Sequence, residues 1–511
     1  MESGCHNAQI KGKFDLIIDL FSLKIIKMKL IYFLPSLVLV VFLTTCAKNP
    51  VTGKREVMLI SEQDEIKLGE ESDPEIIAEF GLLENPSLQA FINEKGNEMA
   101  KISHRSSLPF HFKILDSPVV NAFALPGGYV YFTRGILAHF NNEAQFSGVL
   151  GHEIGHVTAR HGANQYSKQM LAQLGLAIGS SISKELEAFA EIAGVGVQLL
   201  FMKFGRADES QSDELGVEYA TKTGYDCVQM ADFFKTLDKL GGGEEGRMPA
   251  FLSTHPAPLD RFEKVGSLTK TWQAKFPSKS FSVNRESYLR RIDGLPYGED
   301  PQQGFVEKEV FYHPALAFYF PVPKEWSLTN TPANVTITEK SGKSMLIFDL
   351  AKGNNFDAAL KESLEDNDLV LLKDKKRKIN GFQALEAELT QKTPNSGAEP
   401  LNIKLTLIQD NNKIFRFLAI AQGKETGNFF TAMDKTVEGF SRLNDAEKLN
   451  RQVERIHIVN VRRNAALSDV LSDFKMPVSR HKELAILNGM ELTDIVYNNM
   501  QIKIVENLKP E

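Results

Sequence analysis

His152, Glu153 and His156 stand in the run His-Glu-Ile-Gly-His. On an α-helix, residues four apart differ by about 40° in azimuth, so two such imidazoles leave one face, one turn apart. That separation suits two nitrogen ligands of a tetrahedral Zn²⁺, and a glutamate between them can take a proton from water at the metal. The chemistry requires a helix, and the flanking residues supply one. Asn141 or Asn142 offers an N-cap, Phe146, Val149, Leu150, Ile154 and Val157 recur at helical spacing, and Gly162 offers a stop.

A site of this kind needs a third ligand. Metzincins place a histidine six residues beyond the second one, which here is Gly162. His161 falls one residue early, off the shared azimuth, and reads as a polar residue near a helix C-terminus. A carboxylate on a second helix is the remaining option. Glu209 and Asp213, in Glu-Ser-Gln-Ser-Asp, share a face; the first can bind metal while the second accepts from a liganding imidazole. Acidic pairs at this spacing are common on solvated helices, and Glu214 with Glu218 competes on spacing alone.

The joint pattern resembles the zinc metalloproteases of the HtpX and CAAX-prenyl-protease type, nearest to their periplasmic lipoprotein branch. It comprises His152 to His156, then Glu209 to Asp213 with Gly216 following, then Thr254-His255-Pro256 ahead of Asp260-Arg261. Asn49-Pro50-Val51-Thr52-Gly53-Lys54, Asn121 to Gly128 and Thr133-Arg134-Gly135-Ile136-Leu137 agree with it. The likeness covers roughly residues 48–290; Ser212 stands where alanine is usual. It implies one Zn²⁺ per chain on His152, His156 and Glu209, with Glu153 as base and Asp213 behind a ligand. It places His255 near the open coordination position, steadying the oxyanion or filling that position at rest. It also makes Asn121, Ala122, Phe123 and Ala124 a substrate-facing edge strand. Their composition agrees, since Pro126-Gly127-Gly128 signals a turn before the β-rich Tyr129 to Phe132. An edge strand can take up extended substrate through main-chain hydrogen bonds.

Residues 28–46 resemble a bacterial lipoprotein signal: a short basic start at Met28, an apolar run of about a dozen residues, then Cys46. Cleavage would leave Cys46 lipidated and the body in a periplasm, by analogy on the inner leaflet of the outer membrane. Met1 to Lys27 precedes that signal, and translation is expected to start at Met28. With Cys5 removed and Cys46 lipidated, Cys227 has no disulfide partner. A formal charge of −6 gives no basic footprint for nucleic acid.

The expected architecture is multidomain. Residues 1–45 are the upstream extension and signal, and 46–290 a mainly α zincin peptidase domain with a small edge-strand sheet. A linker at 291–304 leads to an α+β domain at 305–443 and a β-α-α-β LysM-like module at 444–511. Within the peptidase domain, apolar runs across 163–207 suggest a helical hairpin over the cleft, and the glycine-rich loop 241–246 a strap beside it. The middle domain carries no catalytic constellation. The tail lacks the Gly-Asp-Thr usual after the first LysM strand, so it could dock on peptidoglycan or on a protein. Function is expected to be peptide-bond hydrolysis in quality control of misassembled envelope or outer-membrane proteins. A zinc-stabilised periplasmic chaperone or assembly factor with a capped site is the alternative.

Overall fold

The computed structural model describes residues 46–173, 199, 202–242, 250–256, 258–366, 369–392, 401–423 and 426–506. The signal and its upstream extension lie outside the described residues, as do most of the 163–207 hairpin and the 241–246 loop. The described residues fold as several helices and six small or large sheets in more than one domain. Among the described residues, no helix is long and apolar enough to cross a membrane.

The first hairpin, β1 (Cys46–Lys48) and β2 (Arg55–Val57), is closed by a turn in which the Asn49 side chain accepts from the Val51 and Thr52 amides. The same side chain donates to the Ala159 carbonyl at 3.2 Å, docking the turn on the end of the HExxH helix. Helix α1 (Glu62–Phe80) begins in a capping box between Ser61 and Asp64. Helix α2 (Pro86–Ala100) starts from an Asn85 cap with proline in its first turn. Strands β3 (His111–Leu115), β4 (Ala122–Leu125) and β5 (Tyr129–Thr133) form a sheet in the order β3-β5-β4. β4 turns into β5 through Gly127 and Gly128, both at positive φ, where a side chain would strike the backbone of Glu65 and Pro109.

Helix α3 (Arg134–His139) follows β5 directly, capped by Thr133. The HExxH helix, α4 (Glu143–Thr158), starts at Asn142, whose side chain accepts from the Gln145 amide. The amphipathic reading understates its burial: every residue of α4 is buried, because it runs through the centre of the domain. Its end also differs from the expected Gly162 stop. Arg160 adopts a positive φ of 61° and ends the helix. Its guanidinium pairs with buried Glu65 and donates to the Ile60 carbonyl, and this offsets the backbone strain. Helix α5 (His161–Gln173) then begins at once.

Helices α6 (Arg206–Thr223), α7 (Val228–Gly241), α8 (Ala250–Thr254), α9 (Pro258–Gln273) and α10 (Arg285–Ile292) complete the helical part. Small residues set the spacing of α4 and α6. A Cβ on Gly151 would sit 2.9 Å from the Gly216 carbonyl oxygen, and one on Gly216 would sit 2.9 Å from the His152 nitrogen.

The stretch read as a linker, 291–304, contributes a short strand, β6 (Pro296–Tyr297), which pairs with the tail strand Glu454–Asn460. The middle region builds a seven-stranded antiparallel sheet and a four-stranded one around two phenylalanine- and leucine-rich cores. A long hairpin there pairs Leu369–Ile379 with Phe382–Gln391. The tail has strands Glu454–Asn460 and Gln501–Glu506 in antiparallel register, with helices Leu467–Asp473 and His481–Leu487 between them. Its apolar residues, among them Ile456, Leu471, Leu484 and Ile502, join the same continuous core as Phe146 and Leu150 of α4.

Candidate metal centre and catalytic site

One turn of α4 brings the Nε2 atoms of His152 and His156 to 3.0 Å. Helix α6 crosses α4 closely enough to carry Glu209 to them: its carboxylate oxygens lie 3.7 Å from His152 Nε2 and 3.5 Å from His156 Nε2. His255, just past α8, brings Nδ1 within 3.3 Å of His152 Nε2 and 2.8 Å of Glu209 Oε1. One ligating atom from each of the four residues falls within 4.8 Å of the others, and all four residues are buried. Tetrahedral coordination with bonds near 2.0–2.1 Å has ligand–ligand edges of about 3.3 Å, so the cluster has the dimensions of a metal site. Of the two acidic pairs open on spacing, the fold takes Glu209 with Asp213. Glu214 is exposed, and Glu218 pairs with Lys222 at 2.6 Å.

Behind the cluster, Asp213 Oδ1 stands 3.1 Å from His152 Nδ1. Arg261, on α9, donates to both Asp213 oxygens at 2.8 and 2.6 Å and lies 2.7 Å from Glu209. Burial would raise the Asp213 and Glu209 pKa values, but nearby cationic groups outweigh it and lower both, Arg261 leading for Asp213 and His255 for Glu209. Arg261 and His255 together thereby offset two buried carboxylates. Arg261 was visible in the sequence only as part of Asp260-Arg261, with nothing in its spacing to assign it this position. His161 was also missed. It turns inward at the start of α5, with Nδ1 3.1 Å from His156 Nδ1.

Glu153 is fully buried, and neither of its oxygens has a hydrogen-bond partner among the described residues. Burial raises its pKa, and His255 and His152 oppose that rise. Its nearest cationic group is His255 Nε2, 3.8 Å away and likewise without a hydrogen-bond partner. Unpartnered buried polar atoms normally cost stability, so their convergence marks a place built to receive a ligand. Two imidazole nitrogens and a carboxylate oxygen form the donor set that suits Zn²⁺ and its neighbours in the first transition row.

The expected substrate strand is β4, at the edge of its sheet and packed beside α4. Ala122 and Phe123 are buried and Ala124 is half-buried. Asn121 accepts from the Thr133 amide at 3.1 Å through its own carbonyl, while its side-chain oxygen is buried without a partner.

Comparisons with known proteins fall on the same segment. Residues 86–269 match the model described as Peptidase family M48. The chain is 30% identical over 224 residues to the beta-barrel assembly-enhancing protease of Escherichia coli, covering 42% of this chain and 45% of that protein. It is 29% identical over 206 residues to the mitochondrial metalloendopeptidase OMA1 of Arabidopsis thaliana, covering 40% of each. The chain thus spans less than half the length of these relatives. A cyanobacterial PsbP from Synechocystis matches at 9% identity and a TM-score of 0.21, over 27% of this chain and 91% of its own, a likeness too low to carry an argument. The HExxH helix, Glu209, Asp213, His255 and Arg261 all lie inside the segment that matches the Peptidase family M48 model.

Proposed function

We propose that the chain is a zinc-dependent metalloendopeptidase, with His152, His156 and Glu209 as ligands of one Zn²⁺ and Glu153 as general base. The single observation that carries this reading is the unpartnered, buried Glu153 carboxylate beside a four-residue ligand cluster. Bound zinc supplies a Lewis acid that polarises the scissile carbonyl and acidifies water. The protein's own residues do the rest. Glu153 takes the proton from the attacking water and delivers it to the leaving amine; burial raises its pKa, which favours its holding that proton between the two steps. His255 Nε2, unpartnered and facing the Glu153 side, donates to the developing oxyanion. Asp213 holds His152 in the tautomer that leaves Nε2 free. The edge of β4, Asn121 to Ala124, takes the substrate backbone as an added strand.

Envelope or outer-membrane proteins that fail to assemble are the proposed substrates, a reading supported by relatives named beta-barrel assembly-enhancing protease. Lipidation at Cys46 would hold the enzyme at a periplasmic membrane face. The β-α-α-β order of the tail supports a LysM-like module at 444–511, following the peptidase domain of 46–290, the linker of 291–304 and the α+β domain of 305–443. That module would dock on peptidoglycan or on a protein.

A second reading, a zinc-stabilised chaperone with a capped site, is favoured by His255 Nδ1, which already lies within ligand distance of the cluster. Zinc content and casein cleavage of residues 47–511, beside Glu153→Gln and His255→Ala, separate the two. One zinc per chain with cleavage lost in Glu153→Gln supports the peptidase. Cleavage that emerges only in His255→Ala supports the capped form. A folded, metal-replete protein without zinc would end both.

A further inference from the structure

The outer nitrogen of His152 has its partner in Asp213, but the residue doing the same for His156 is not an acid. We infer that His161 and Gln211 form a second hydrogen-bond relay that fixes the tautomer of His156, making both of them positioning residues for the metal. The inference rests on the proposed ligand set.

His161 is 5% exposed. Two acceptors face its Nε2: Gln211 Oε1 at 2.9 Å and an Asp208 carboxylate oxygen at 3.8 Å. That nitrogen therefore carries the proton, and Nδ1 keeps its lone pair. At Nδ1 stand His156 Nδ1, 3.1 Å away, and the Ser212 hydroxyl, 3.3 Å away, both able to donate. His156 then carries its own proton on Nδ1 and turns the Nε2 lone pair toward His152, Glu209 and His255. Phe204 packs against the His156 ring, tilted by 36° with centroids 4.1 Å apart, and limits its rotation.

The consequence is a common source of support. Helix α6 carries Glu209 to the cluster, Asp213 to the back of His152, and Gln211 through His161 to the back of His156. The two Nε2 atoms stand 3.0 Å apart, and with both outer nitrogens protonated their lone pairs repel each other, a repulsion that a bound cation relieves. Ser212, the departure noted in the sequence, adds a donor to the same nitrogen as His156 does.

The test is the zinc dissociation constant of residues 47–511 by chelator competition, with wild type and Glu153→Gln as references. Wild type without zinc would overturn the ligand set itself, separately from the relay. Given zinc in both references, His161→Phe keeps the ring volume, removes the acceptor and is expected to weaken binding about 10- to 100-fold. His161→Asn restores an acceptor near the Nδ1 position and should recover most of that loss. Gln211→Met, at a half-buried site that tolerates the change, should weaken binding in the same direction even if His161→Phe does not fold. Wild-type affinity in Gln211→Met together with His161→Phe, or failure of asparagine to rescue a folded phenylalanine variant, would overturn the relay.

Discussion

The contact between α4 and α6 allows two opposing effects to be weighed at one residue, Gly216. Alanine in a helix interior is favoured over glycine by about 1 kcal/mol, so propensity alone predicts that Gly216→Ala stabilises the protein. The crossing predicts the reverse. The added Cβ would lie 2.9 Å from the His152 nitrogen, 3.1 Å from its Cα and 3.2 Å from the Gly148 carbonyl oxygen, all backbone atoms that cannot rotate away. Carbon contacts settle near 3.5–4.0 Å, so the helices must part by about 0.5 Å or more. Overpacking of that kind costs about 1–3 kcal/mol, which exceeds the propensity gain through most of its range. The same displacement exceeds the roughly 0.2 Å that ligand distances tolerate, and Glu209 rides on the helix that moves. Gly216→Ala is therefore expected to lose up to about 2 kcal/mol in urea denaturation of the metal-free protein and to bind zinc at least about 10-fold more weakly. Gly266→Ala is the control, because that helical glycine has nothing within 4 Å of a Cβ and should gain stability with zinc affinity unchanged. If Gly216→Ala matched Gly266→Ala in both measurements, the claim that this crossing sets the ligand distances would be refuted.

Other outcomes follow from groups remote from the cluster. Burial, aided by Lys503, depresses the His139 pKa to about 4 from 6.5, with its hydrogen bond to the Gly135 carbonyl and the charge of Glu483 working the other way. The folded state then binds fewer protons than the unfolded one between those values. This contribution, about 3 kcal/mol, is complete above pH 6.5 and is lost as the pH falls toward 4. Urea midpoints of the metal-free protein at pH 7.5 and 4.5 should differ less in His139→Asn than in wild type; equal differences would contradict this assignment. Lys503, wholly buried, donates to the Ala138 and Phe140 carbonyls at the end of α3. Lys503→Met leaves both acceptors unpaired while relieving a buried charge, for a net loss of about 1–3 kcal/mol. Hydrogen exchange should show the strand Gln501–Glu506 opening more often in that variant; unchanged protection would argue that packing alone holds the tail.

Much of the fold was legible because local signals carried it. The Asn142 cap and the Pro126-Gly127-Gly128 turn appear where side-chain chemistry put them. The hairpin at 369–391 was missed although Asn380-Gly381 is a strong turn signal, because its first strand exposes a run of lysines that reads as a solvated segment. The Arg160 stop was illegible, since a positive φ at arginine holds only through Glu65 and the Ile60 carbonyl, about a hundred residues earlier.

The sequence by itself determined the pairing of His152 with His156, because helical geometry places residues four apart on one face whatever surrounds them. It also narrowed the third ligand to a carboxylate pair but could not choose between them, since both pairs have the same spacing. Tertiary structure brings Glu209 and Asp213, rather than the other pair, to the two histidines. The glycines of α4 and α6 let the two helices approach, and Arg261 with His255 supplies the charge that allows two carboxylates to be buried. It alone brought His161 behind His156, docked the Asn49 turn on the end of α4, and set the tail into the core that the HExxH helix shares. These contacts join residues about 100 to 360 apart or depend on a sharp change of direction between helices, and short-range periodicity holds no information about either.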